Sequence, residues 1–239
     1  MKNTPKLSIV IPTLNEEYFL PFLLSSIKNQ TYKNYEIIVA DAGSTDKTLE
    51  ITKEYNCKLT DGGLPGVGRN KGAKIAQGEY ILFLDADVLL PENFLKNTLT
   101  EFEEKNLDIA TCDIYPLSEK KIDKFLHSAV NSYFKTIQFF SPHAPGFCIF
   151  TKKEIHEKIK GFDEKILLAE DHDYVKRATK IGKFRILQSE KIPVSVRRLE
   201  KDGRLKIMLK YILCEAYILI KGPVTSDIFK YKFGGYKKE

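Results

Sequence analysis

Three short, mostly apolar runs, Leu7 to Ile11, Tyr35 to Ala40 and Tyr80 to Leu84, with a short third strand expected at Cys57 to Thr60, recur early in the chain, separated by stretches of helical periodicity. This alternation is the strongest constraint on the fold. Strands joined by helical crossovers lie parallel in one sheet and carry helices on both faces. After Leu7 to Ile11 come Pro12 and a predicted helix from Glu17 to Lys28, where Pro21 is tolerable only near the start. Asp41-Ala42-Gly43-Ser44 reads as a turn, and Ser44 is placed to cap a helix that carries Leu49 and Ile51 inward. Glycines from Gly62 to Gly78 punctuate a loop and a helix before the fourth strand. Residues 1–115 are therefore expected to form a Rossmann-like, mostly parallel central sheet flanked by helices, an α/β nucleotide-binding half.

Past Pro91 the pattern loosens. It predicts a helix to about Glu104, a strand near Ile109 to Ile114, and an amphipathic helix whose apolar face carries Phe125, Ala129, Tyr133, Ile137 and Phe140. Gly146 to Thr151 reads as a strand, Glu170 to Ile181 as a helix, and Phe184 to Leu187 and Pro193 to Val196 as two short strands. Residues 116–196 complete a single domain spanning 1–196, and 197–239 form a basic amphipathic C-terminal tail. The charge supports that division: residues 1–196 hold 27 basic and 27 acidic side chains, while 197–239 hold 11 and 5. A local basic cluster beside apolar residues fits a phosphate or a lipid surface better than a nucleic-acid track, so no nucleic-acid partner is expected. From Arg204 to Lys221 a helix is apolar around most of its circumference, with Lys206, Lys210, Tyr217 and Lys221 on one narrow polar stripe. Such a helix packs on its own domain, pairs with a second subunit, or lies in a membrane interface with snorkelling lysines.

No stretch reaches the roughly 20 apolar residues of a membrane span, and the start at Lys2 and Asn3 has no apolar signal core. A cytoplasmic protein is expected, with peripheral contact on the inner face of the membrane as an option. Cys57, Cys112, Cys148 and Cys214 are far apart in sequence and read as reduced core thiols.

Asp85-Ala86-Asp87 ends the fourth strand, and in open α/β sheets ligands gather at the carboxyl ends of strands. Two carboxylates one residue apart can turn toward one hard cation that bridges diphosphate oxygens, or can form a solvated turn. The context enlarges this pair. Ser8-Ile9-Val10-Ile11-Pro12-Thr13-Leu14-Asn15-Glu16-Glu17, Asp41-Ala42-Gly43-Ser44-Thr45-Asp46 and Leu84-Asp85-Ala86-Asp87 occur in that order, each at a strand exit. Together they resemble family 2 glycosyltransferases. The likeness continues through Gly68-Arg69-Asn70-Lys71-Gly72-Ala73 and Gly161-Phe162-Asp163-Glu164 to Glu170-Asp171, roughly residues 6 to 190.

That resemblance implies a GT-A fold, a nucleotide diphosphate sugar (UDP- or GDP-linked) as donor, and Mg²⁺ or Mn²⁺ as cofactor held by Asp85 and Asp87. It implies that Pro12, Thr13, Asn15, Glu16 and Asp41 line the nucleoside pocket, with Gly43 and Ala86 beside it. It also implies that Asp171 is the general base that takes the acceptor proton, that Glu170 orients it or the acceptor, and that the anomeric configuration inverts. Residues 116–196 would then shape the acceptor side. Read alone, Asn15 and Ser44 suit helix caps, and the acidic run Glu170 to Asp173 suits a helix N-terminus. Arg69 can reach a donor phosphate or ribose, or form a surface ion pair. His172 reads as a partly exposed helix-start residue, and His143, in the rigid Ser141 to Phe147 segment, as an acceptor contact. Many relatives place a metal-ligating histidine near Val194 to Arg197, where this chain has Ser195 and then Arg197-Arg198, so a third metal ligand is in doubt there. The arginine pair, Arg198 in particular, can meet the diphosphate instead. The basic, apolar tail points to a saccharide that is lipid-linked, or a polyprenyl phosphate, as acceptor.

Rival readings fit less of the chain. A sugar-phosphate nucleotidyltransferase should carry a glycine-rich, arginine-containing loop after the first strand, where this chain has Pro12 to Glu16. Gly66, Gly68 and Gly72 lack the dinucleotide-binding spacing. A non-catalytic nucleotide-sugar-binding or membrane-scaffold protein of the same fold would not need Asp85, Asp87 and Asp171 together.

Overall fold

The computed structural model describes residues 4–229; Lys2, Asn3 and the last ten residues of the tail lie outside them. Strand β1 (Leu7–Thr13) runs into helix α1 (Leu20–Lys28), whose buried Leu20, Leu23, Leu24 and Ile27 form one helical stripe with Pro21 in the first turn. Strand β2 (Tyr35–Asp41), helix α2 (Thr48–Glu54), strand β3 (Lys58–Asp61), helix α3 (Pro65–Ile75) and strand β4 (Tyr80–Leu84) repeat the pattern. Helix α4 (Phe94–Glu104), strand β5 (Ile109–Pro116) and helix α5 (Lys121–Ile137) follow, then strand β6 (Cys148–Lys152) and helices α6 (Lys153–Lys158) and α7 (Glu170–Ala178). Strand β7 (Phe184–Val194) closes the sheet before helices α8 (Arg197–Asp202) and α9 (Arg204–Lys221).

The seven strands take the order β3-β2-β1-β4-β6-β5-β7. All pairings are parallel except those of β6, which runs antiparallel between β4 and β5. Alternate strand residues feed two cores: Leu7, Ile9, Ile11, Leu82 and Leu84 face α1 and α4, while Val10, Ile38, Ile81 and Phe83 face α3 and α7. Burial on both faces is why these strands read as continuous apolar runs. Helix α3 lies close on β1 because Gly72 has no side chain; a Cβ there would sit 2.3 Å from Val10 Cγ1.

Several local expectations are corrected. Ser44 caps no helix: α2 starts after Lys47 without a side-chain cap, and the Ser44 hydroxyl is bonded elsewhere. The two short strands expected over Phe184 to Val196 are one strand, interrupted by a bulge between Leu187 and Lys191. Glu101 holds that bulge by accepting the backbone N–H groups of Gln188 and Ser189 at 2.8–3.0 Å. Cys112 and Cys148, distant in sequence, sit side by side on β5 and β6 with their sulfurs 3.4 Å apart as free thiols. Helix α5, an expected amphipathic helix, turns its apolar stripe outward. Phe125 is 67% exposed, and Phe140, beyond the helix end, 91%. The helix is anchored by its other face, through Val130, Phe134 and Asn131, whose side chain bonds both backbone groups of Ile114.

Helix α9 behaves similarly. Ile207 and Cys214 are buried, and Arg204 forms a two-pronged pair with the fully buried Asp123 of α5 at 2.6 and 2.8 Å. Its outward side leaves Leu205, Leu209, Ile212, Leu219 and Ile220 exposed. No helix among the described residues is long and apolar enough to cross a membrane.

Candidate active site

Strands β1, β2 and β4 end at one edge of the sheet, and the residues singled out in the sequence gather there. Asp41, at the end of β2, is buried, and its carboxylate accepts the Thr13 hydroxyl (2.9 Å), the Ser44 hydroxyl (2.6 Å) and the N–H groups of Gly43 and Ser44 (3.0 and 2.8 Å). A carboxylate has about four lone-pair sites, so Asp41 is fully engaged in shaping the turn. Pro12 and Thr13 lie beside it in register with Ala40 and Asp41. Gly43 takes a left-handed φ of 89° within that turn. Asn15, also left-handed at φ 56°, caps no helix either; its side-chain oxygen accepts the Thr45 N–H at 2.8 Å and its own N–H donates to Ser44 Oγ. The two strand-exit loops are thereby stitched together.

Two arginines organise the acidic groups. Arg69 is no surface residue: it is 2% exposed, and it donates to Asp85 Oδ1 (2.8 Å), Glu170 Oε1 (2.6 Å) and the Gly146 carbonyl (3.1 Å). Burial disfavours its charge, but Asp85, Glu170 and Asp171 outweigh that and raise its pKa. Arg197 forms a bidentate pair with Glu16 (2.7 Å twice) and donates to Asp87 Oδ2 at 2.8 Å. It reaches Asp87 because the end of β7 folds across β4: Ser195 N–H donates to the Asp87 carbonyl, and Val88 bridges Val194. The result is a chain of alternating charge, Glu16–Arg197–Asp87 on one side and Asp85–Arg69–Glu170 on the other. Burial lifts the carboxyls of Glu16, Asp87 and Glu170 above their ordinary range, against the pull of the arginines.

Of the arginine pair, Arg197 makes these hydrogen bonds, and Arg198 is near enough to Asp87 to pull its pKa down electrostatically. The signal for Arg197 was available only as an arginine pair after a strand. Ala86 is 3% exposed, so its methyl is packed in the core between the two aspartates.

Asp171 lies at the start of α7, where Ala169 adopts a left-handed φ of 60°, an uncommon conformation for a residue with a Cβ. Its Oδ2 accepts the Gly146 N–H at 2.6 Å and its Oδ1 the His172 N–H at 2.9 Å. Glycine at 146 leaves room for both side chains: a Cβ would lie 2.6 Å from an Arg69 nitrogen and 3.1 Å from Asp171 Oδ2. Asp85 and Asp87 offer only oxygen donors, each with one oxygen on an arginine and lone pairs left over, a donor set that suits a hard divalent cation. A separate open depression, lined by Pro5, Asn34, Glu36 and Lys58, sits at the opposite edge of the sheet, away from all these carboxylates.

Comparison with known proteins bears on the family and the fold. The glycosyl transferase family 2 model matches residues 8–159. The chain is 30% identical to the uncharacterized glycosyltransferase MJ1057 of Methanocaldococcus jannaschii over 235 residues, 90% of this chain and 78% of that one. It is 35% identical over 114 residues to the poly(ribitol-phosphate) beta-N-acetylglucosaminyltransferase TarS of Staphylococcus aureus (strain Mu50), 44% of this chain and 20% of TarS, so it spans only a fifth of that relative's length. In fold it resembles S. aureus TarS 1-349 in complex with UDP-GlcNAc, with TM-score 0.67, 22% identity, and 90% of this chain and 73% of that one covered. It also resembles the mannosyltransferase PcManGT of Pyrobaculum calidifontis in complex with GDP-Man and Mn²⁺, with TM-score 0.66, 19% identity, and 92% and 72% covered. With its strand-exit motifs, its seven-stranded GT-A sheet and these relatives, the chain belongs to glycosyltransferase family 2.

Proposed function

We propose that the chain transfers a sugar, with inversion, from a UDP- or GDP-sugar, and that Asp85 and Asp87 hold the Mg²⁺ or Mn²⁺ that neutralises the donor diphosphate. The observation that carries this reading is the linked series Glu16–Arg197–Asp87 and Asp85–Arg69–Glu170 at the carboxyl edge of the sheet. A bound dication would supply Lewis-acid stabilisation of the departing nucleoside diphosphate. Pro12, Thr13, Asn15, Glu16 and Gly43 line the nucleoside site in this reading, and Asp41 acts through the turn it shapes. Arg197, together with Arg198, is held at Asp87 in readiness for the diphosphate, a charge-assisted role that guanidinium suits. Asp171, positioned by two backbone N–H groups, takes the acceptor proton, and Glu170 with Arg69 keeps it in place. The fold shared with a UDP-GlcNAc complex and a GDP-Man/Mn²⁺ complex supports a nucleotide-sugar donor.

Transfer or donor hydrolysis, measured with and without Mn²⁺, tests this assignment. Asp87→Ala is expected to remove metal-dependent turnover, and, with a hydroxyl acceptor, Asp171→Asn to lower kcat by about 10² to 10⁴. Unchanged activity in both variants refutes the roles.

For the acceptor, the reading favoured here is a lipid-linked saccharide or polyprenyl phosphate met at an anionic membrane surface. It is supported by the exposed apolar stripes of α5 and α9, which stand beside Lys121, Lys124, Lys206 and Lys221. Full-length protein should sediment with anionic vesicles, and Leu209→Asp/Ile212→Asp should not. Equal, weak sedimentation of both, or a dimer that hides the stripes, rejects the membrane contact. A phosphate acceptor is already ionised near neutral pH, so Asp171→Asn would then be only mildly impaired.

A further inference from the structure

His143, His172 and Glu215 come from three distant parts of the chain and converge beside Asp171. His143 sits in the segment before β6, His172 at the start of α7, and Glu215 in the second half of α9. The imidazole centroids are 4.4 Å apart, and one ligand atom from each of the three side chains lies within 4.8 Å of the others.

The hydrogen bonding defines which atoms face inward. His143 Nδ1 lies 2.5 Å from the Ser141 carbonyl, which can only accept, so that nitrogen carries a proton and Nε2 of the neutral ring is a lone pair. That lone pair faces Glu215 Oε2 at 3.3 Å. His172 Nδ1 is shielded from solvent and lies 2.8 Å from Glu215 Oε1, yet it has no partner in hydrogen-bond geometry. Nitrogen and carboxylate lone pairs at these distances repel unless a proton or a metal ion lies between them. Protons fill the space with His172 as its neutral Nδ1–H tautomer and His143 as an imidazolium in edge contact with it, whereas one dication satisfies both nitrogens and the carboxylate together. A carbonyl-oriented imidazole whose other nitrogen points into a group of donors is also the usual arrangement of a histidine metal ligand.

We propose that His143 Nε2, His172 Nδ1 and Glu215 form a second divalent-metal site, selective for Zn²⁺ or a similar late transition ion and separate from Asp85 and Asp87. Ligand chemistry separates the two sites: imidazole nitrogens favour Zn²⁺, Co²⁺ or Ni²⁺, whereas the all-oxygen aspartate pair favours Mg²⁺ or Mn²⁺. Three protein ligands leave a fourth position for water or an acceptor oxygen. The ion would clamp α9 to the segment that carries Gly146 and to the residue next to Asp171, so it joins the outward helix to the proton-accepting side of the site. The site does not depend on the donor assignment.

The experiment uses full-length protein without a polyhistidine tag, stripped with EDTA and titrated with Co²⁺ and Zn²⁺ in the absence of any nucleotide sugar. The wild type should bind one tight equivalent at this site, apart from any weaker occupancy of Asp85 and Asp87, with visible d–d absorption of a four-coordinate nitrogen/oxygen site on Co²⁺ loading, and Zn²⁺ should raise its Tm. Glu215→Gln and His143→Asn, checked for native circular dichroism in EDTA, should each weaken binding at least about 100-fold. Asp87→Ala should retain the absorption. No binding by the wild type overturns the proposal; so does binding that survives both ligand variants, or that disappears with Asp87→Ala.

Discussion

Arg69 and Arg197 each join one aspartate of the Asp85/Asp87 pair to a buried glutamate, but from different settings. Arg69 projects from the middle of α3, is enclosed by Phe162 and Gly146, and serves Asp85 and Glu170. Arg197 opens the short helix α8 at the mouth of the site, retains 15% side-chain exposure, and serves Asp87 and Glu16. The same ion-pair chemistry thus has two consequences. An enclosed guanidinium cannot leave without stranding buried charge, so Arg69 is part of the scaffold. One at the rim can exchange its carboxylate for an incoming phosphate or yield it to a metal ion, so Arg197 is suited to respond to ligand.

The sharpest way to break that contrast is Arg69→Met. It leaves Glu170 and Asp85 without their cation and should cost about 3–5 kcal/mol of unfolding free energy in a urea titration. A loss near that of Arg197→Ala would erase the distinction. Gly146→Ala should come next, at about 1–3 kcal/mol, because the new methyl displaces Arg69 and Asp171 together. Transfer rate should fall further than stability in this variant, read as kcat beside Tm.

Arg197→Ala should have the opposite profile. Its stability loss should be about 1 kcal/mol, while Mn²⁺ binding without donor should tighten up to about tenfold, because a competing cation has left Asp87. Calorimetric titration measures this directly, and weaker Mn²⁺ binding would contradict the exchange. The smallest effect belongs to a carboxylate away from both arginines. Burial works against the charge on Glu101, but Lys105 and the N–H groups of Gln188 and Ser189 prevail and bring its pKa from 4.5 to about 2. Its folded pKa is depressed, so its contribution is present above pH 4.5 and is lost as pH falls toward 2. Glu101→Gln should therefore lose about 1 kcal/mol near neutral pH and flatten the stability profile across that acid window.

Local sequence sufficed for the sheet-and-helix alternation, the strand-exit placement of Thr13, Asp41 and Asp85, and the length of α9, because each depends on periodicity or on a turn a few residues long. Which way α5 faces is not in that pattern: Phe125, Ala129 and Tyr133 make a sound helical stripe, yet periodicity does not say which of two stripes meets the core. Asn15 and Ser44 have the chemistry of helix caps, but the nearest donors in space belong to the neighbouring loop. Local sequence leaves Arg69 open between a donor contact and a surface ion pair, because nothing nearby reveals that Asp85 and Glu170 close over it from 16 and 101 residues away. The whole fold is needed to bring Arg197 to Asp87 and Glu16, and to put His143, His172 and Glu215 in one volume. Ion pairs and ligand clusters depend on which atoms lie within a few ångströms, and that distance is set by packing of the whole sheet and its helices, which no window of sequence contains.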